Sequence, residues 1–298
     1  MAGFSIDAAL KSGFALARRD WKAILVWGAG YMLLTVAMQV LQLTLLGAAV
    51  PGYFQTLLED PAAAGVMAEQ APPAVWLLTA PLMLILGGAG VVLFYGAVCR
   101  ALLRPEQRGF FYVKFGRGEL WMFLTALALC ALALLAVLPI SFGFFTLLDL
   151  LGGGQGRYPL AGVLLAIPAT LAYVYIAARF SLAWVQAWDE ERFVLLDAWR
   201  LTRGQGWRIV LTILALIFLM LIIWAVVLIP LAIVAGIVLG VAEMSGGGAA
   251  MVVTSLLALG GLVFFTVFAG VIYTAMAAPY VDIYRALKAG AADASAAG

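Results

Sequence analysis

Apolar residues gather along this chain in six long blocks, at roughly 23–48, 75–103, 119–148, 159–186, 207–240 and 250–280, and most of the charge lies between them. Each block exceeds the about 20 helical residues that cross a ~30 Å hydrocarbon core. None alternates apolar and polar positions as a barrel strand would, so the pattern predicts a bundle of six transmembrane helices. Shorter stretches keep a helical period instead. Ile6, Leu10, Phe14 and Ala17 form one stripe beside Asp7, Lys11 and Arg18, and Phe193, Leu196 and Trp199 recur opposite Asp197 and Arg200. Together with "FFYVKF" at 110–115, they read as amphipathic helices lying at the membrane surface.

Two of these stretches lead into the same cassette. Residues 114–121 read "KFGRGELW" and residues 200–207 read "RLTRGQGW", 86 positions later. In both, a basic residue is followed at fixed spacing by Arg-Gly and then Trp. The N-terminus offers a looser third copy, with Lys11 and Trp21 but no Arg-Gly pair. "RALLR" from Arg100 and "RALKA" from Arg285 rhyme at the exits. The expected architecture is therefore an all-α integral membrane protein. Six spans form three parallel-oriented hairpins, each preceded by a cytoplasmic interfacial helix. One domain covers 1–288, with approximate repeats 1–104, 105–188 and 189–288, and 289–298 is expected to be a disordered cytoplasmic tail.

Composition settles the class. Of 298 residues, 66% are hydrophobic and 11% charged, a balance that a soluble surface does not tolerate. The loops after the first, third and fifth blocks hold one basic residue, Arg157, against Glu59, Asp60, Glu69, Asp149 and Glu243. The rest of the chain holds 16 of the 17 basic residues and ten of the 15 acids, so one face carries a net +6 and the other −4. That Lys/Arg bias predicts that both termini lie in the cytoplasm. The first apolar run, about 25 residues, is longer than a signal-peptide core and reads as an uncleaved span. Cys99 and Cys130 both fall within spans, so no disulfide is expected.

In this frame Gly118 and Gly204 are expected to end an interfacial helix in the left-handed conformation, with the preceding Arg near its carbonyl end. Arg117 and Arg203 would lie at lipid-phosphate level and Trp121 and Trp207 at headgroup depth. Two uses fit the cassette: a corner anchored by positive charge, or a dedicated site for a lipid headgroup or partner.

Candidate chemistry is sparse. The chain has no histidine, which removes the commonest general base and metal ligand, so neither catalysis nor a cofactor or metal is expected. "GGGQGRYP" at 152–159 lacks the Gly-Lys-Ser/Thr ending of a phosphate-binding loop, and "SGGGAA" reads as a turn. Asp189, Glu190 and Glu191 read as the solvated start of an amphipathic helix, with a cation site as the alternative. Gly87, Gly88 and Gly90, and the GxxxG pair Gly236 and Gly240, read as helix contacts. Prolines 81, 139, 168, 230 and 279 stand in or near five spans and could kink them. Arg179 follows the uncharged run 158–178. It lies at the inner boundary if the fourth span starts at Pro159, and inside an anion-binding cavity if the helix crosses as far as Trp188.

Residues 179–210, "RFSLAWVQAWDEERFVLLDAWRLTRGQGWRIV", resemble the inner loop of a bacterial membrane family, and "APYVDIYRALKAG" from Ala278 resembles its closing segment. The family comprises the membrane domain ahead of the catalytic barrel in some glycerophosphoryl diester phosphodiesterases and related standalone six-span inner-membrane proteins. The resemblance implies the membrane part only, since that barrel works with His and Glu and this chain has no His. The function expected is non-enzymatic. A basic cytoplasmic collar built on Arg117, Arg203, Trp121 and Trp207 would organise anionic lipid headgroups or a protein partner, with no role for nucleic acid. The alternative is a transporter or lipid-translocating protein with an anion site at Arg179.

Overall fold

The computed structural model describes residues 4–151, 160–245 and 247–296, and all regular structure among them is α-helical. The first helix, α1 (Ile6–Arg19), opens on Ser5, whose hydroxyl accepts from the Ala8 amide at 3.4 Å. It carries Asp7 in its first turn and Arg18 and Arg19 in its last, the order a helix dipole favours. Asp20 alone separates it from α2 (Trp21–Ala49). Two short helices follow, α3 (Tyr53–Glu59) and α4 (Pro61–Glu69), with Asp60 accepting from the amides of Ala62 and Ala63 to start the second. Then come α5 (Pro73–Leu103), α6 (Arg117–Leu151), α7 (Leu160–Phe180), α8 (Ala183–Glu190), α9 (Leu196–Leu201), α10 (Gly206–Ser245) and α11 (Gly247–Ala296).

Among the described residues five helices are long and apolar enough to cross a membrane: α2, α5, the 117–135 part of α6, the 206–238 part of α10 and the 252–293 part of α11. The chain is thus a helical protein built for multiple passages through a membrane. The fourth expected span falls on α7, whose side chains are described from Ile167 onward and which is not among the five. Successive long helices pack in pairs, α2 on α5, α6 on α7 and α10 on α11. Further contacts of α5 with α6, α7 with α10 and α11 with α2 close the circuit, and α11 also reaches α5 across it. The closest approach is between α2 and α11. A Cβ on Gly28 would fall 1.9 Å from the Thr266 carbonyl oxygen, and one on Gly270 would fall 2.3 Å from that of Ile24.

Several sequence expectations change here. Segment 110–115 is not helical: Gly109, Phe111 and Tyr112 take left-handed φ values of 41°, 49° and 63°, which no α-helix accommodates. In the 192–200 stretch only Leu196–Leu201 is helical, and Phe193 and Leu196 of its stripe are exposed while Val194 and Ala198 are buried. The α1 stripe packs on the bundle, with Leu10 and Phe14 against Leu216, Met220, Ile272 and Ala275. Gly13 makes that approach possible, because a Cβ there would lie 2.5 Å from the Ala275 Cα. The GxxxG pair Gly236 and Gly240 meets nothing within 4 Å, and Gly87, Gly88 and Gly90 face the side chains of Met38, Phe123 and Leu34 and not a helix backbone. Finally, α11 runs on to Ala296 through most of the expected tail, whose alanines favour helix. Arg157 and the loop 152–159 lie outside the described residues.

Candidate functional site

The charged end of the bundle is assembled around one carboxylate. Glu119 stands in the first turn of α6 and reaches back to accept from the Gly116 amide at 3.0 Å, the reciprocal half of a capping box. Its other oxygen accepts from Trp188 Nε1 at 2.8 Å and from the Arg100 guanidinium. Both ion-pair partners are buried, the Arg100 side chain 5% exposed and Glu119 1%. Two glycines clear the space. A Cβ on Gly96 would fall 2.7 Å from the Glu119 carboxylate, and one on Gly118 would fall 2.9 Å from the Trp188 carbonyl oxygen. Arg100 also donates to the carbonyls of Tyr112 and Lys114, so a single guanidinium ties α5, α6 and the intervening loop together.

A second junction lies beside it. Glu191 takes φ 50° and ends α8, so Asp189, Glu190 and Glu191 sit at the C-terminal end of a helix, not at the start of one. Acids there oppose the helix dipole and call for cations. Arg104 supplies one, donating to the Asp189 carbonyl at 2.9 Å and pairing with Glu191 at 3.6 Å, while its guanidinium lies 4.9 Å from the centre of the Trp188 ring. Tyr284 and Lys288 of α11 both donate to Asp189 Oδ2. Burial pulls the Asp189 carboxyl up, but those two hydrogen bonds and the charges of Lys288 and Arg104 outweigh it and hold the group below its ordinary value. The rhymed exits "RALLR" and "RALKA" therefore converge on one residue, through Arg104 and Lys288. Arg192 bridges Glu190 and Asp197 at 2.6 and 2.8 Å.

The doubled cassette does not fold the same way twice. In the first copy α6 begins at Arg117, drawn forward by the Glu119 cap, and Gly118 is a helical residue placed for close packing against α8. In the second, α9 ends at Leu201 and Gly204 takes φ 79°, the left-handed turn that its missing Cβ allows, before α10 begins at Gly206. Arg117 is exposed and lines a cavity of about 240 Å³ with Arg100, Arg104 and Lys114 and the acids Glu119 and Glu191. Trp121 is half-buried in α6. Arg203 is exposed in the turn, and Trp207, 65% exposed, lies 5.3 Å from the Tyr175 ring. Among the described residues no hydrogen bond or ion pair joins the two copies.

Arg179 occupies the last turn of α7, which ends at Phe180 and breaks at Ser181–Leu182 before α8. The 8%-exposed residue donates through Nε to the Thr202 hydroxyl at 3.2 Å and through its terminal nitrogen to the Trp199 carbonyl. Its guanidinium stacks 3.7 Å from the centre of the Trp199 ring. Arg179 thus caps α9 and binds it to α7.

Sequence reading missed the Arg100–Glu119–Trp188 cluster. Its trace is Arg100 and Arg104 one helical turn apart, with glycines at 96, 116 and 118 on either side of the acid. Elsewhere a cavity of about 640 Å³ between α6 and α7 is walled by apolar groups including Leu129, Leu132, Ile176 and Phe180. Both cysteines are free. No family model, curated protein or solved structure matches the chain.

Proposed function

We propose that the chain is a non-enzymatic inner-membrane protein whose basic cytoplasmic end gathers anionic lipid headgroups and presents that surface to a partner protein. The observation that carries this reading is a charge surplus left after pairing. The ion pairs at the charged end engage Asp7, Asp20, Glu119, Asp189, Glu190, Glu191, Asp197 and Asp282. Among the described residues at that end Arg179 and Arg208 are in no ion pair but donate to Thr202, the Trp199 carbonyl and the Phe4 carbonyl, which leaves Arg18, Lys22, Arg108, Lys114, Arg117 and Arg203 with neither an ion pair nor a side-chain hydrogen bond, against the unpaired acids Glu106 and Asp293. Unpaired cations beside exposed Trp21, Phe110 and Trp207 suit the phosphate layer of a cytoplasmic leaflet, where each contributes about 1 kcal/mol. In this reading the chain threads as three hairpins with cytoplasmic termini, which would put all six on one face. The resemblance of 179–210 to the phosphodiesterase-associated membrane domain agrees with it.

The alternative, an anion-transport cavity at Arg179, loses its motive, since that guanidinium already serves Trp199 and Thr202 and the cavity at span depth is apolar. Native mass spectrometry of gently purified protein tests the proposal. Wild type should retain an anionic phospholipid that is depleted when Arg117 and Arg203 are both replaced by Gln and kept in Arg179→Leu. Loss in Arg179→Leu alone would transfer the case to the internal site.

A further inference from the structure

We infer that the cavity between the α1–α2 junction and the loop at 108–112 binds the phosphodiester headgroup of one anionic membrane lipid, an assignment that rests on the lipid-gathering reading and adds a defined pocket to it. The cavity measures about 420 Å³ and is walled by Arg19, Lys22 and Arg108 against a single acid, Asp20. Arg19 Nε donates to that carboxylate at 2.8 Å, so the charge left for a ligand is that of Lys22 and Arg108. A phosphodiester monoanion complements them, and its oxygens accept what they donate.

The first amides of α2 and the Tyr112 hydroxyl lack partners of their own. Asp20 occupies the N-cap position of the 29-residue α2 but makes no side-chain capping bond. The Ala23 and Ile24 amides bond to its carbonyl, which leaves those of Trp21 and Lys22 at the positive end of the helix. Independently, Tyr112 is 4% exposed in the same wall and its hydroxyl is buried with no hydrogen-bond partner. A buried hydroxyl without a partner is a polar group that the fold leaves open to an acceptor.

The rim selects a lipid over a soluble phosphate. Trp21, Phe110 and Phe111 are 56%, 71% and 36% exposed at the start of a membrane-spanning helix, where a glycerol backbone and the first acyl carbons would lie against them. The loop that presents the two phenylalanines is strained, with Phe111 and Tyr112 both left-handed. It is held from below: Trp27 Nε1 donates to the Phe111 carbonyl at 2.8 Å, Arg100 donates to that of Tyr112, and the Tyr112 amide donates to the Arg108 carbonyl at 2.7 Å. The buried cluster at Glu119 and this outward site are therefore linked through one arginine.

The test titrates short-chain phosphatidylglycerol, short-chain phosphatidylcholine and soluble glycerol 3-phosphate onto the full chain in neutral detergent, read by calorimetry. Wild type should bind phosphatidylglycerol well above the other two. Replacing Lys22 and Arg108 together by Gln should weaken it about tenfold or more. The swap of Lys22 to Arg with Arg108 to Lys should restore most of the loss, and Phe110→Ser should weaken it by a smaller factor with the charges intact. The Arg117 and Arg203 double variant should leave this affinity unchanged. Retained binding in the Lys22 and Arg108 double Gln variant, with loss in the Arg117 and Arg203 variant, would overturn the pocket and keep the collar. Equal binding of glycerol 3-phosphate would overturn the lipid assignment, and no phosphatidylglycerol binding by wild type would overturn pocket and lipid reading together.

Discussion

Arg100 and Glu119, 19 positions apart in sequence, form an ion pair shut away from solvent where the fifth helix ends and the sixth begins. Neither charge would survive there alone. Glu119 has Trp188 and the Gly116 amide as further donors, and Arg100 has two loop carbonyls as further acceptors. A buried pair of this kind is weak evidence of net stability, since desolvating both ions offsets most of their attraction. What it secures is geometry: the position of the loop at 104–116 and the docking of α8 on α6.

Arg100→Leu should therefore destabilise the fold by about 3–5 kcal/mol, because it strands a buried carboxylate. Replacing both residues by Leu should cost clearly less than the sum of the two single changes. Trp188→Phe, which removes one donor, should cost about 1–1.5 kcal/mol. Reversible unfolding in mixed micelles checks all three, and additive effects would show that the pair is not coupled.

Glycine at the α2–α11 contact is required by distance. Gly28→Val should force the two helices apart, given backbone 1.9 Å from the new Cβ, and lower stability by more than 2 kcal/mol, about the range of overpacked cores. Gly236→Ala, with nothing within 4 Å, should be neutral or gain about 0.5–1 kcal/mol from helix propensity. Thermal unfolding of the two variants side by side tests the contrast.

Asp189 sets an acid limit on the α8–α11 junction. Its folded carboxyl titrates below its ordinary value, so it binds fewer protons folded than unfolded. The stability it contributes is complete above the ordinary carboxylate range and disappears as pH falls through the depressed folded value. Asp189→Asn should flatten the acid side of the stability curve and leave the neutral plateau lower. A variant curve parallel to wild type at low pH would show that the group does not titrate as described.

Arg179 is expected to act on local structure. Arg179→Leu should speed amide exchange across α9 and the turn at 202–205, and Arg179→Lys should restore little, because an ammonium cannot stack on Trp199 and serve both Thr202 and the Trp199 carbonyl. Unchanged exchange at 196–205 would remove the capping role.

Five of the six expected spans fall on long apolar helices, and all but the last, where α11 runs on to Ala296, agree with the helix bounds to within a few residues, because an apolar run long enough to cross a bilayer is a property of the segment itself. Gly204 was legible for the same reason: a turn between two helices needs a left-handed residue nearby. The rest depends on partners far along the chain. Trp188 meets Glu119 from 69 positions away and Tyr284 meets Asp189 from 95, so no local pattern marks either acid as buried or paired. Segment 110–115 has the period of a helix, yet contacts from Trp27 and Arg100 hold Phe111 and Tyr112 in a conformation that propensity disfavours. The GxxxG pair has the spacing of a contact and lacks one, whereas Gly13, Gly28 and Gly270, on three different helices, make the closest approaches without any motif.

Whether anionic lipid binds this protein is settled most directly by its thermal unfolding in nanodiscs of phosphatidylcholine alone and of phosphatidylcholine with phosphatidylglycerol, each at low and high salt. Anionic lipid should raise the Tm by about 2–4 °C at low salt, and high salt should shrink that rise. The same Tm in both lipids would contradict the account and leave the unpaired cations to a protein partner.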